Sequence, residues 1–125
     1  MKTFHKAIFY VYGLLCLGAG ALLLAAPGRF LGFFGWAPVD PLLSRVLGAA
    51  LLSMAWGAWR AVRAGEAKAA ATLVEIFFAF TALSSVGLLR HLLAASYPFM
   101  VWFLCAVMVV FTLLWAVVWF QLRKL

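Results

Sequence analysis

The chain has 125 residues, of which 69% are hydrophobic and 10% charged, and its mean hydropathy is +1.14. Soluble domains are about 45–50% apolar and about 25% charged, so a soluble globular domain, a disordered tail and a disulfide scaffold are excluded. An integral membrane protein with little mass outside the bilayer is implied, and with three acids and two histidines it has few of the polar side chains that catalysis uses.

A spanning helix needs about 20 mostly apolar residues at about 1.5 Å each. Four segments meet that length, so the predicted fold is all-α: a polytopic membrane protein forming one four-transmembrane-helix bundle over 1–125. The first span covers about 7–26. Its basic start at Lys2 and Lys6 and its Ala25-Ala26 resemble a signal peptide. Its apolar stretch exceeds the ~7–15 residues of a signal core, and Pro27 follows the small residues directly, so the helix is expected to be retained. The connection from Pro27 to Pro41 carries Phe30, Leu31, Phe33, Phe34 and Trp36. These are too many large apolar groups for a loop in water. A short amphipathic turn in the membrane interface is expected, with a docking edge for a partner protein as the alternative. The second span covers about 42–61, the third about 70–89 and the fourth about 99–120. Pro41 and Pro98 precede the second and fourth, where a helix tolerates proline because no hydrogen-bond donor is lost.

Lys2, Lys6, Arg60, Arg63, Lys68, Arg123 and Lys124 flank one side of these spans, and Arg29, Arg45 and Arg90 the other. Basic flanks stay on the cytoplasmic side, so both termini are expected in the cytoplasm, with a bacterial inner membrane as the location. The net charge of +7 is thus mostly a topology signal. It provides no folded surface for nucleic acid, and membrane lipids are the expected partners of the basic cluster. Trp36, Tyr97 and Trp102 fall at the outer headgroup level and Tyr10, Trp59 and Trp119 at the inner one, as amphipathic rings prefer.

Helices in lipid associate through small residues and polar contacts. The second span has Ala49, Ser53, Gly57 and Ala61 at spacing four; the first has Gly13, Gly18 and Gly20; the third has Ala71, Glu75 and Ala79. The fourth has few small residues. Spans one to three are therefore expected to form the tight part, with span four facing lipid or a partner.

Glu75 is the most informative residue, since an ionisable group at the centre of a span costs roughly 2.5 kcal/mol or more. It lies about 7.5 Å inside the third span, level with Tyr12, Trp56 and Trp115, and Arg60 lies about one turn nearer the cytoplasmic end. Glu75, Arg60 and Tyr12 form a candidate intramembrane polar site. Two readings stand: a carboxyl, neutral or paired with Arg60, that locks the second and third spans together, or a proton, cation or ligand-head site. Arg45, with Arg90 and Arg29, is a candidate anion or lipid-head site; an Asp40–Arg45 contact or snorkelling is the simpler reading. His5 and His91 sit at opposite ends and cannot share a haem, and no His, Cys, Asp or Glu cluster has metal-ligand spacing, so no cofactor or metal is expected. Cys16 and Cys105 differ in height by about 9 Å, beyond the ~7 Å reach of a disulfide. Thr81, Ser84 and Ser85 are expected to bond back to helix carbonyls or across helices.

The basic start, the helix ending Ala26-Pro27, the turn with Phe34-Gly35, then Asp40 and Arg45-x-x-Gly48-Ala49-Ala50-Leu51-Leu52 resemble the DoxX-like and related small four-helix bacterial membrane proteins over roughly the first half of the chain. The resemblance implies a four-helix membrane fold and, from some members, association with redox or quinone-linked complexes; no site residue carries over. The expected function is an accessory or scaffold subunit of a larger membrane complex, met through a protein partner or a second copy. The alternatives are a binder or carrier of a quinone, lipid or pigment with Glu75 or Arg45 at its polar head, and an oligomeric proton-coupled transporter using Glu75.

Overall fold

The computed structural model describes residues 3–33, 35, 41–94 and 99–124. Lys2, Phe34, Trp36, Asp40, Tyr97 and Pro98 lie outside the described residues, as does the side chain of His91. Five helices follow one another: α1 Thr3–Ala25, α2 Pro27–Phe33, α3 Pro41–Ala64, α4 Ala67–Ala94 and α5 Phe99–Arg123. All but α2 are long and apolar enough to cross a membrane. The chain is an all-α integral membrane protein, and each expected span lies within, or one residue beyond, one of these helices.

α4 has 28 residues, about 42 Å of rise against a hydrocarbon core of about 30 Å, so its ends reach both headgroup layers. α2 is a short helix on which Phe30 and Leu31 are half-buried against the main core, the amphipathic element the phenylalanines implied. Gly65 ends α3: it takes φ +69°, and its N–H donates to the Ala61 carbonyl at 3.1 Å. Only glycine enters this left-handed cap without a Cβ penalty, and it lets α4 begin two residues later.

The helices pair as α1 with α3 and α4 with α5, both antiparallel; α3 touches α4 only lightly. This corrects the expectation that spans one to three form the tight part. The pairs are built differently. α1 and α3 meet backbone to backbone: a Cβ on Gly20 would lie 2.8 Å from the Gly48 carbonyl oxygen, and one on Gly13 3.3 Å from the Ala58 Cβ. Gly18, grouped with them by sequence, has nothing within 4 Å.

The stripe of α3 that faces inward is Ser44, Gly48, Leu51, Ala55, Ala58 and Val62. The expected ladder is offset from it. Ala49 and Ser53 are exposed, with the Ser53 hydroxyl donating to the Ala49 carbonyl at 2.9 Å. Gly57 turns toward Leu73 of α4, at 3.4 Å from its Cβ position, and Ala61 is buried. The reason is geometric: at 3.6 residues per turn a strict spacing of four rotates by about 40° per step. Over the twelve residues from Ala49 to Ala61 the ladder swings from the outer surface into the core.

α4 and α5 instead present stripes at alternating spacings of four and three, which hold one face: Ala70, Val74, Phe77 and Thr81 on α4, and Phe111, Trp115, Val118 and Leu122 on α5. The two pairs join through rings. Trp115 packs at centroid distances of 5.0 Å from Phe9, 5.1 Å from Tyr12 and 5.2 Å from Phe77. Tyr12 also meets Phe77 at 4.9 Å and Phe111 at 5.1 Å. Tilted and edge-on geometries of this kind are the favourable ones. They explain why α5 packs tightly without small residues. Cys16 and Cys105 are both buried and unbridged. Thr81 and Ser85 bond back to the carbonyls of Phe77 and Thr81 at 2.9 and 2.7 Å.

Candidate functional site

The inward stripe of α4 decides where Glu75 points. It lies one residue after Val74 and two before Phe77, roughly 100° and 200° around the helix from them. Its side chain is therefore exposed on the membrane-facing surface. It sits about 8 Å from the middle of α4 along the axis, within the hydrocarbon.

One contact holds it. The Trp119 Nε1–H donates to Glu75 Oε1 at 3.0 Å. Trp119 lies one turn beyond the buried Trp115 and is half-buried. A further turn on, the Arg123 guanidinium carbon stands 5.0 Å from the Trp119 ring centroid. Between α4 and α5 runs a groove of about 400 Å³ lined by Glu75, Phe78, Ala116, Trp119 and Phe120. An ionised carboxyl offers about four acceptor positions, and one indole N–H uses one of them. The arrangement can accept further hydrogen bonds, or a positive charge, from a molecule lying in the membrane.

The expected trio is not assembled. Tyr12 shares the layer of Glu75 but is buried inside the ring cluster, with its hydroxyl toward the Met54 sulfur at 3.7 Å. Phe77 separates the two faces. Arg60 is exposed on α3, and α3 lies against α1 rather than α4. The Arg60-paired reading is replaced by an indole-held carboxyl that ties α4 to α5. Trp119 was legible only as a headgroup-level ring.

Arg29, Arg45 and Arg90 are exposed on α2, α3 and α4. Among the described residues no ion pair or hydrogen bond joins them, and Asp40 lies outside those residues. The basic end carries a matching pair of stacks: Arg63 lies 5.5 Å from the Trp59 centroid, as Arg123 does over Trp119. Both are Trp-x-x-x-Arg at i, i+4, which places the guanidinium over the ring and lets it reach toward water.

His5 is the residue that sequence reasoning missed. It is fully buried, and its Nε2 lies 2.6 Å from Gln121 Oε1 on α5. With Nε2–H as donor to the amide oxygen, Nδ1 remains a buried acceptor without a partner among the described residues. This contact is a polar latch between the α1/α3 pair and the α4/α5 pair. His5→Ala and Gln121→Leu are each expected to lower unfolding free energy by about 1–2 kcal/mol, because the first leaves the half-buried Gln121 amide and the second the buried His5 ring without its partner. The His5→Ala/Gln121→Leu double variant should lose less than the sum of its single changes. Thermal unfolding in mild detergent measures this, and strict additivity would show that the two side chains are not coupled.

A second groove, of about 360 Å³, runs along α1 and α3 between residues such as Leu14, Leu17, Leu52 and Trp56; its lining is almost wholly hydrocarbon. Among the described residues no group of three or more His, Cys, Asp or Glu could hold a metal ion. No protein-family model matches the chain, and comparison with curated proteins and with solved structures likewise gives no match.

Proposed function

We propose that this protein binds an amphipathic molecule that moves laterally from the bilayer into the α4/α5 groove, with Glu75 meeting its polar head. The observation that carries this reading is the position of Glu75. A carboxyl exposed on a membrane-spanning helix and held, among the described residues, by a single N–H is costly to maintain, and it lines a groove of about 400 Å³. An accessory-subunit role is the second reading. It is favoured by the outward face of α4, where Ile76, Leu83 and Val86 are exposed alongside Glu75; a partner helix donating a hydrogen bond there would use the same carboxyl.

Native mass spectrometry of the protein in mild detergent, extracted from its own membranes, tests the proposal. The parent chain should carry a bound small molecule, and Ala116→Trp, which fills the groove and keeps Glu75 in the sequence, should lose it. Equal small-molecule content in parent and variant would sink the ligand reading. A stoichiometric protein partner, lost in Glu75→Leu, would support the second reading instead.

A further inference from the structure

We infer that the α4/α5 groove selects a lipophilic cation, a protonated amine carried on a hydrocarbon tail; this rests on the binding reading above and narrows it to one chemical class. The lining carries a single formal charge, that of Glu75, and no Lys, Arg or His. Arg123 stacks on Trp119 but is not part of the groove wall. The positive charge that gives the chain its basic balance is therefore kept out of this trough.

The walls add to the charge. Trp119 and Phe120 stand with centroids 5.2 Å apart and planes at 74°, so two aromatic rings meet almost at right angles, and Phe78 contributes a third ring to the lining. Aromatic rings beside a carboxylate make an environment that suits an organic ammonium, by cation–π attraction together with charge pairing. The Trp119 N–H fixes Oε1. Oε2 has no bond among the described residues, and an ammonium N–H can donate to it. A neutral head would leave the carboxylate uncompensated in a medium of low dielectric, and an anionic head would add repulsion. The groove, at about 400 Å³, takes the head and the first carbons of a chain whose remainder stays in lipid.

Photolabelling in maltoside micelles reads this directly. The probes are a diazirine-bearing alkylamine and the alkyl alcohol of the same chain length, with label mapped onto α4 and α5 peptides by mass spectrometry. The amine should label the groove about tenfold more than the alcohol. Glu75→Gln should remove that preference, and Glu75→Asp should keep part of it, as expected for a charge-assisted contact in a dry site. Arg123→Gln should raise amine labelling roughly threefold, because it removes a like charge stacked on the Trp119 ring. If amine and alcohol label equally and both are lost in Ala116→Trp, the cation inference falls and the binding reading stands. If neither probe labels the groove, both fall. An amine preference that survives Glu75→Gln also overturns the inference, since it would report the micelle and not the carboxylate.

Discussion

Trp115→Ala is expected to lower the unfolding free energy by about 3–5 kcal/mol, the range of large aromatic truncations in packed interiors. Trp115 is fully buried, and its indole touches rings from α1 and α4 at once. In a membrane the cost does not come from transfer to water, because lipid is as apolar as the core. It comes from the void, whose lining rings lose their dispersion contacts and cannot all close on it. Trp115→Phe separates shape from chemistry. It keeps a ring in the cluster and removes the Nε1–H, which is buried without a partner among the described residues, so a loss of only about 1 kcal/mol is expected. Unfolding of both variants in the same detergent gives the comparison. An alanine variant within about 1 kcal/mol of the parent would show that the ring cluster does not join the two helix pairs.

The spans were legible because length and composition are one-dimensional properties. An uninterrupted apolar run of 20 or so residues has few alternatives in a chain this hydrophobic, and the prolines at 27 and 41 stand at helix starts because their chemistry permits little else there. Pairing was not legible, because it depends on azimuth. The Ala49-to-Ala61 ladder looked like a face only while its 40°-per-step drift was neglected. The real contact in α3 runs through Gly48, Ala55 and Ala58, whose spacings of seven and three keep to one side. The fourth span was read by its lack of small residues. Its large side chains at 4-3-4 spacing, Phe111, Trp115, Val118 and Leu122, served the same purpose by interlocking, and that spacing was visible in the sequence.

The same limit divides the site. Glu75 could be picked out alone, since a single acid in a span is conspicuous. Its height along α4 put it level with Tyr12, Trp56 and Trp115, but height does not say which way a side chain points. Phe77 faces the layer's centre and Glu75 its rim, two residues and roughly 200° apart. Trp119 and Gln121 lie two residues and roughly 200° apart on α5 and meet Glu75 and His5 on different helices. Neither partner could be assigned before the antiparallel pairing of α5 with α4, and its contact with α1, were known.

Gly48→Leu is the second substitution expected to act strongly, at about 3 kcal/mol or more, the upper end of overpacking costs. The reason lies in what the glycine faces. A Cβ at this position would sit 2.8 Å from the Gly20 carbonyl oxygen and 2.9 Å from the Leu24 amide nitrogen. Both are backbone atoms, which cannot rotate aside as a side-chain tip does. α1 and α3 must separate, and since nothing like the hydrophobic effect drives helices together in lipid, the dispersion contacts along the seam are lost without compensation. Gly48→Ala should already cost about 1–3 kcal/mol. Gly18→Ala, at a position with nothing within 4 Å, should fall within about 0.5 kcal/mol of the parent. Equal effects of the two alanine substitutions in thermal unfolding would refute the backbone contact. The α4/α5 pair meets α3 only lightly, chiefly where Gly57 approaches Leu73 and Phe77. The folded Gly48→Ala protein should therefore keep the Trp119–Glu75 contact and the amine labelling of the groove. The α1/α3 seam and the proposed binding groove of α4 and α5 lie on different helix pairs, so weakening the one should not empty the other.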